Sequence, residues 1–198
     1  ETGEIDEDAL IDYLKENKIS FRDDMSNSNK KYLRNRVRHE LIPYLKSYNP
    51  KIKQTTDITI IPSELKDPKY SLFNSYFNLL KDCFLDYRNQ YPFLKHKFFD
   101  KTHIGHFNVQ KYISGDHFSS LHSERTSLDS LHRLFAWMTY LNNVEDGGTT
   151  NFEYYDIKVK PEIGKTLIWP AEWTHAHTGS VLKSGTKYIV TGWINFAP

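Results

Sequence analysis

The segment Lys187-Tyr188-Ile189-Val190-Thr191-Gly192-Trp193-Ile194-Asn195-Phe196 is rich in β-branched and aromatic residues, which predicts a strand. Working back from it, Lys165 to Trp169, Phe152 to Val159, Leu134 to Leu141 and His106 to Tyr112 read as further short strands. Turn signals separate them: Ser184-Gly185, Pro161 to Gly164, Asp146-Gly147-Gly148 and Gly115. Ile52 to Ile61 reads as an earlier strand, stopped by Pro62. Between these groups, Leu72, Phe73, Tyr76, Phe77, Leu80, Phe84 and Tyr87 follow helical spacing from about Lys69 to Asn89, and Pro92 ends the pattern. A helix of this kind buries its apolar face across a sheet. No Gly-rich phosphate loop and no regular alternation of strand and helix occurs, which argues against a doubly wound nucleotide-binding fold. The expected fold is mainly β with an α-helical flank, a jelly roll whose two sheets can hold a ligand between them.

The first quarter of the chain reads differently. Asp6 to Glu16 predicts a short helix, and Lys30 to Leu45 a second one, with Leu33, Val37, Leu41 and Leu45 on one face and Asn27 or Ser28 as its cap. Pro43 kinks or shortens that helix, and Asn49-Pro50 closes the region. Its other face carries Lys30, Lys31, Arg34 and Arg38, with Arg36 beside them; it is a solvated basic face or a phosphate-contacting one. The expected division is therefore an N-terminal helical segment, 1–51, and a jelly-roll domain, 52–198, that includes the helix over 69–89. With 26 Lys and Arg against 25 Asp and Glu, composition implies no general attraction to nucleic acid or membrane. The one cysteine, Cys83, excludes an internal disulfide and sits beside the apolar helical face, as an inert core thiol would. No apolar run reaches membrane-spanning length, so a soluble, cytoplasmic or otherwise intracellular protein is the expectation.

Residue chemistry singles out His122-Ser123-Glu124 and the distant His177. Two imidazoles and a carboxylate can hold one face of Fe(II) and leave the other face open for an organic acid and oxygen. The same set also serves zinc with a bound water. His175 competes with His177, because alternation in an extended segment puts both on one side; the Gly179 that follows and the ten-residue separation from Lys187 favour His177. His175 is then expected behind the site or facing a substrate.

Residues 107–196 resemble the 2-oxoglutarate and Fe(II)-dependent dioxygenases, in their prolyl 4-hydroxylase-like branch. The resemblance runs through Tyr112-x-x-Gly115, His122-x-Glu124, Arg133, Tyr140-Leu141-Asn142, Asp146-Gly147-Gly148-Thr149-Thr150-x-Phe152, Pro161-x-x-Gly164, His177-x-Gly179, Gly185-x-Lys187-Tyr188 and Thr191-x-Trp193. It implies a double-stranded β-helix, with His122, Glu124 and His177 as iron ligands and Lys187 holding the distal carboxylate of 2-oxoglutarate. By the same resemblance Tyr140 donates to that carboxylate, Tyr112 approaches the chelating end, and Thr191 and Trp193 line the floor beside the metal. Implied cofactors are Fe(II), 2-oxoglutarate and dioxygen, with ascorbate as reductant. Glu124 departs from the family's usual aspartate, which moves the carboxylate by one methylene. Arg133 is expected to support the sheet or a substrate loop.

The branch implies hydroxylation of peptidyl proline, with succinate and carbon dioxide as products, at a mouth bordered by the Ser119 to Ser130 loop. The alternatives are a non-proline or RNA substrate and an inactive jelly-roll binding module. Separately, Tyr32-Leu33-Arg34-Asn35-Arg36-Val37-Arg38-His39-Glu40-Leu41, within residues 10–53, resembles part of the tRNA(Ile)-lysidine synthetase family. The Gly-rich, Ser-containing loop that carries the ATP chemistry of that family does not occur in the chain, so no lysidine-forming activity follows. An RNA partner at the Lys30 to Arg38 face is one implication; a helical module reused for packing is another.

Overall fold

The computed structural model describes residues 56–197. Both expected N-terminal helices, and with them the basic face from Lys30 to Arg38, lie outside the described residues.

Among the described residues eight strands form two antiparallel sheets. The larger has the order β1 (Thr56–Ile60), β2 (Thr102–Ile113), β8 (Thr186–Phe196), β3 (Arg133–Tyr140) and β6 (Thr166–Pro170). The smaller has the order β5 (Ile157–Val159), β4 (Thr150–Phe152) and β7 (His177–Gly179). This is the expected double-stranded β-helix with a helical flank. Among the described residues no helix is long and apolar enough to cross a membrane.

The long helix α1 (Ser71–Gln90) buries Phe73, Tyr76, Leu80 and Phe84, the residues that recur on one face at helical spacing. They meet Phe107 of β2, Phe135 and Trp137 of β3, and Val190 and Ile194 of β8 in one apolar cluster. Phe73 lies 5.0 Å, ring to ring, from Phe107, and the buried hydroxyl of Tyr76 shares a 2.7 Å hydrogen bond with Thr139. The helix ends at Tyr91, whose backbone is extended, with Pro92 next. Cys83 is half-buried on this helix, and burial, with Asp86 and Asp82 adding to it, pushes its thiol pKa up, as for an unreactive cysteine.

Along β8 the period of two divides the faces. Tyr188, Val190 and Ile194 pack towards α1, while Lys187, Ile189, Thr191 and Trp193 line the space between the sheets. Gly192 falls on the helix side, where an added Cβ would sit 2.9 Å from both Phe107 Cβ and Trp137 Cζ2.

The segment Phe152 to Val159, expected as one strand, is two. Glu153–Tyr155 form a single 3-10 turn and Asp156 adopts a left-handed backbone, φ 51°, so that β4 and β5 fold back on each other as a hairpin. Aspartate tolerates this conformation better than the β-branched residues around it. The three-residue strand β7 was not expected at all; it is too short to show a period.

Candidate active site

The backbone brings the two histidines together. His122 and His177 form an isolated β-bridge, with His122 N–H donating to His177 O at 3.2 Å and His177 N–H to His122 O at 2.9 Å. Their rings lie 4.3 Å apart between centroids. Two residues on, the amides of Glu124 and Arg125 both donate to Ala171 O, which ties the Glu124 backbone to the end of β6. Glu124 Oε1 then stands 3.8 Å from His122 Nε2 and 3.5 Å from His177 Nε2. All three ligating atoms lie within 4.8 Å of one another.

The ring nitrogens are assigned by their partners. His122 Nδ1 contacts Ser120 O at 2.9 Å and His177 Nδ1 contacts His175 O at 3.0 Å. A carbonyl only accepts, so each Nδ1 carries a proton, and it is Nε2 of each ring that is turned towards Glu124 and free to ligate in the neutral tautomer. Burial is the main cause that pulls the His177 pKa below its ordinary value, which keeps the ring neutral. Two imidazoles and one carboxylate on one side of a point, with the cavity on the other, fit a divalent cation of the Fe(II) class.

That space is a cavity of about 230 Å³ between the sheets, lined by the triad and by Tyr112, Thr150, Lys187, Thr191 and Trp193. Lys187 is 5% exposed, and among the described residues it makes no ion pair. Its ammonium donates to Gly148 O at 3.1 Å and lies 4.3 Å from the centroid of the Tyr112 ring. Burial alone pulls its pKa down to about 8. A buried cation facing a cavity without an acidic neighbour lacks its counter-ion. Gly148, which supplies the carbonyl, has φ 65°, and an added Cβ there would press on Leu182 at 3.2 Å and on the Lys187 stem at 3.4 Å.

The remaining residues singled out in the sequence are placed as follows. Tyr112 lines the cavity and donates to Gln110 Oε1 at 2.9 Å; burial pushes its pKa to about 12. Tyr140 is fully buried, its hydroxyl 2.6 Å from Thr150 Oγ1, and it is Thr150 that faces the cavity. Thr191 donates to Trp137 O at 2.9 Å. Trp193 donates from Nε1 to Glu124 Oε2 at 2.6 Å. His175 stands outside the triad: its ring lies 4.9 Å from Tyr155 and lines a separate groove between α1, β5 and β6. Its part in the site is the carbonyl that orients His177. Sequence reasoning passed over Thr150 as a cavity residue; Arg133, expected to support the sheet or a substrate loop, donates from Nη1 to Glu124 O of the Ser119 to Ser130 loop at 3.0 Å and places its guanidinium 3.7 Å from the Trp193 ring centroid.

Comparison with known proteins agrees with this geometry. Residues 107–195 match the family model of the 2OG-Fe(II) oxygenase superfamily, and residues 4–45 match that of the PP-loop domain. Among curated relatives, a tRNA(Ile)-lysidine synthase of Bacillus licheniformis is 52% identical over 42 residues, which are 21% of this chain and 9% of that protein. A probable prolyl 4-hydroxylase of Arabidopsis thaliana is 26% identical over 120 residues, 48% of this chain and 42% of that protein. The chain thus spans less than half the length of either relative. In fold, the viral collagen prolyl hydroxylase of Paramecium bursaria Chlorella virus-1 aligns over 80% of this chain and 89% of its own, with TM-score 0.59 and 19% identity. A prolyl-4-hydroxylase of Pseudomonas putida aligns over 83% and 88%, with TM-score 0.58 and 16% identity. Residues 107–195 are thus similar in sequence to the 2OG-Fe(II) oxygenase superfamily, and the fold is the one seen in the solved prolyl hydroxylases.

Proposed function

We propose that the chain hydroxylates a carbon centre in a proline-containing peptide, using Fe(II), 2-oxoglutarate and dioxygen and releasing succinate and carbon dioxide. The observation that carries this reading is Lys187, a buried cation with no ion pair among the described residues, in the same cavity as two histidines and a carboxylate. Fe(II) with 2-oxoglutarate and dioxygen supplies the oxidising chemistry, delivering one oxygen atom to succinate and one to the substrate.

The chain's own residues bind, orient and exclude. His122, Glu124 and His177 would hold the metal on one side only. Lys187 would pair with the far carboxylate of 2-oxoglutarate, and Thr150 would offer it a hydroxyl backed by Tyr140. Tyr112 remains a neutral phenol at physiological pH, and by turning its hydroxyl from Gln110 it can donate to the chelating end. Thr191 and Trp193 close the floor. The peptide enters past the Ser119 to Ser130 loop, where Leu121 and Leu128 are exposed. Proline as the target is supported by the names of the relatives and fold neighbours.

Anaerobic titration of metal-free protein with Fe(II) and then 2-oxoglutarate tests the site. A visible charge-transfer band should need both additions, vanish in His177→Ala and demand far more cosubstrate in Lys187→Ala. Failure of the folded protein to bind either would sink the reading and favour a binding module. With the band in hand, succinate release stimulated by proline peptides, with ascorbate as reductant, identifies the substrate. Stimulation by RNA instead, lost at high salt and on neutralising Arg34, Arg36 and Arg38, would support recruitment by the basic N-terminal segment.

A further inference from the structure

Glutamate is a loose metal ligand. It has one more rotatable bond than aspartate and can turn either one oxygen or both towards an ion. In this chain Glu124 is held twice, at one carboxylate oxygen and at its backbone carbonyl. Trp193 Nε1 donates to Oε2 at 2.6 Å, which leaves Oε1 facing the two histidines. Arg133 Nη1 donates to the Glu124 backbone carbonyl at 3.0 Å, while its guanidinium covers the Trp193 ring at 3.7 Å. On another side the His106 ring meets Trp193 edge-on, 5.2 Å between centroids.

Two irregularities in the sheet create this arrangement. On β2, Ile104 pairs with Ile194 but Phe107 pairs with Gly192, so both Gly105 and His106 stand opposite Trp193. On β3, Arg133 pairs with Asn195 and Phe135 with Ile194, so Leu134 is an extra residue. Leu134 and Phe135 consequently both pack towards α1, and strict alternation would have sent Arg133 to that side as well. The β3 irregularity re-aims Arg133, the β2 irregularity sets both Gly105 and His106 opposite Trp193, and the Arg133 and His106 side chains converge on the same indole from the two strands that flank it.

We propose that the paired bulges build a clamp on Trp193, and that the clamped indole makes Glu124 a one-oxygen ligand. Arg133 and Trp193 are positioning residues in this account. It rests on the metal-site reading above, and it adds the device that lets a glutamate serve there. The contact depends on side-chain length. Shortening Glu124 by one methylene withdraws its oxygens by about 1.5 Å, which carries a 2.6 Å hydrogen bond beyond the usual limit.

A double-mutant cycle on Co(II) affinity of the metal-free protein therefore separates positioning from general support. Trp193→Phe keeps the ring and removes the donor. It should weaken Co(II) binding about tenfold or more in the Glu124 protein, and less than threefold in the Glu124→Asp background. Equal losses in both backgrounds, or no loss in either, overturn the clamp. A second measurement needs no metal: the Trp193 indole N–H resonance, assigned by Trp193→Phe, should move on Glu124→Gln and on Arg133→Gln, and an unmoved resonance also overturns it. Absence of Co(II) binding by the unsubstituted chain would reject the metal-site reading itself, and this proposal with it.

Discussion

At the scale of single residues, Lys187 sets stability against function. Its folded pKa of about 8 lies below the ordinary 10.5, because burial disfavours the charged form. Below pH 8 the lysine is protonated in the folded and unfolded states, and the folded protein bears the full cost of the buried charge. Between pH 8 and 10.5 the unfolded chain binds a proton that the folded chain lacks, so stability rises with pH by up to about 3 kcal/mol. That gain is complete above 10.5 and is lost as pH falls back through 8. Lys187→Met should accordingly stabilise the free protein at pH 7 by about 1–3 kcal/mol, measured by denaturant unfolding. The same change should weaken 2-oxoglutarate binding about a hundredfold. A variant that kept its cosubstrate affinity would refute the assigned role. Lys187 could be picked out in the sequence only through the resemblance, since an isolated lysine on a strand is ordinarily solvent-facing. Its burial follows from Gly148 and Tyr112, which arrive from other strands and turns.

At the scale of elements, the seam between α1 and the larger sheet carries the packing. Phe73 is fully buried against Phe107 and Tyr76, and it leaves a cavity if truncated. Phe73→Ala should cost about 3–5 kcal/mol in denaturant unfolding. The triad rests on the far face of the sheet, so Co(II) affinity of the folded variant should change less than threefold. A large fall in affinity would show that the helix positions the site as well as covering the sheet. This seam was readable beforehand, because the helical period of Phe73, Tyr76, Leu80 and Phe84 and the period of two along β8 are both properties of local sequence. The break between β4 and β5 was not, because β-branched and aromatic residues run through it and only Asp156 marks the left-handed turn.

At the scale of the whole molecule, the two sheets come together through the site. The Tyr140 to Thr150 contact ties β3 of the larger sheet to β4 of the smaller, and the His122 and His177 bridge and the Lys187 to Gly148 contact join residues far apart in the chain. A metal and cosubstrate that bind only the folded form should stabilise it by about 2.7 kcal/mol at a hundredfold excess over Kd, raising Tm by about 5–10 °C. Differential scanning calorimetry under anaerobic conditions checks this, and a Tm insensitive to both ligands would contradict a preformed site. Sequence alone determined the long helix, the longer strands, the alternation along β8 and the three residues able to hold a metal. Backbone periodicity, turn chemistry and ligand type act over a few residues and leave a local trace. Only the tertiary structure decided that the His177 backbone pairs with His122 while the His175 ring turns to a separate groove, and that Arg133 and His106 reach Trp193. Those outcomes depend on a cross-strand bridge and on two bulges, and registers between distant strands are set by packing that no single segment encodes.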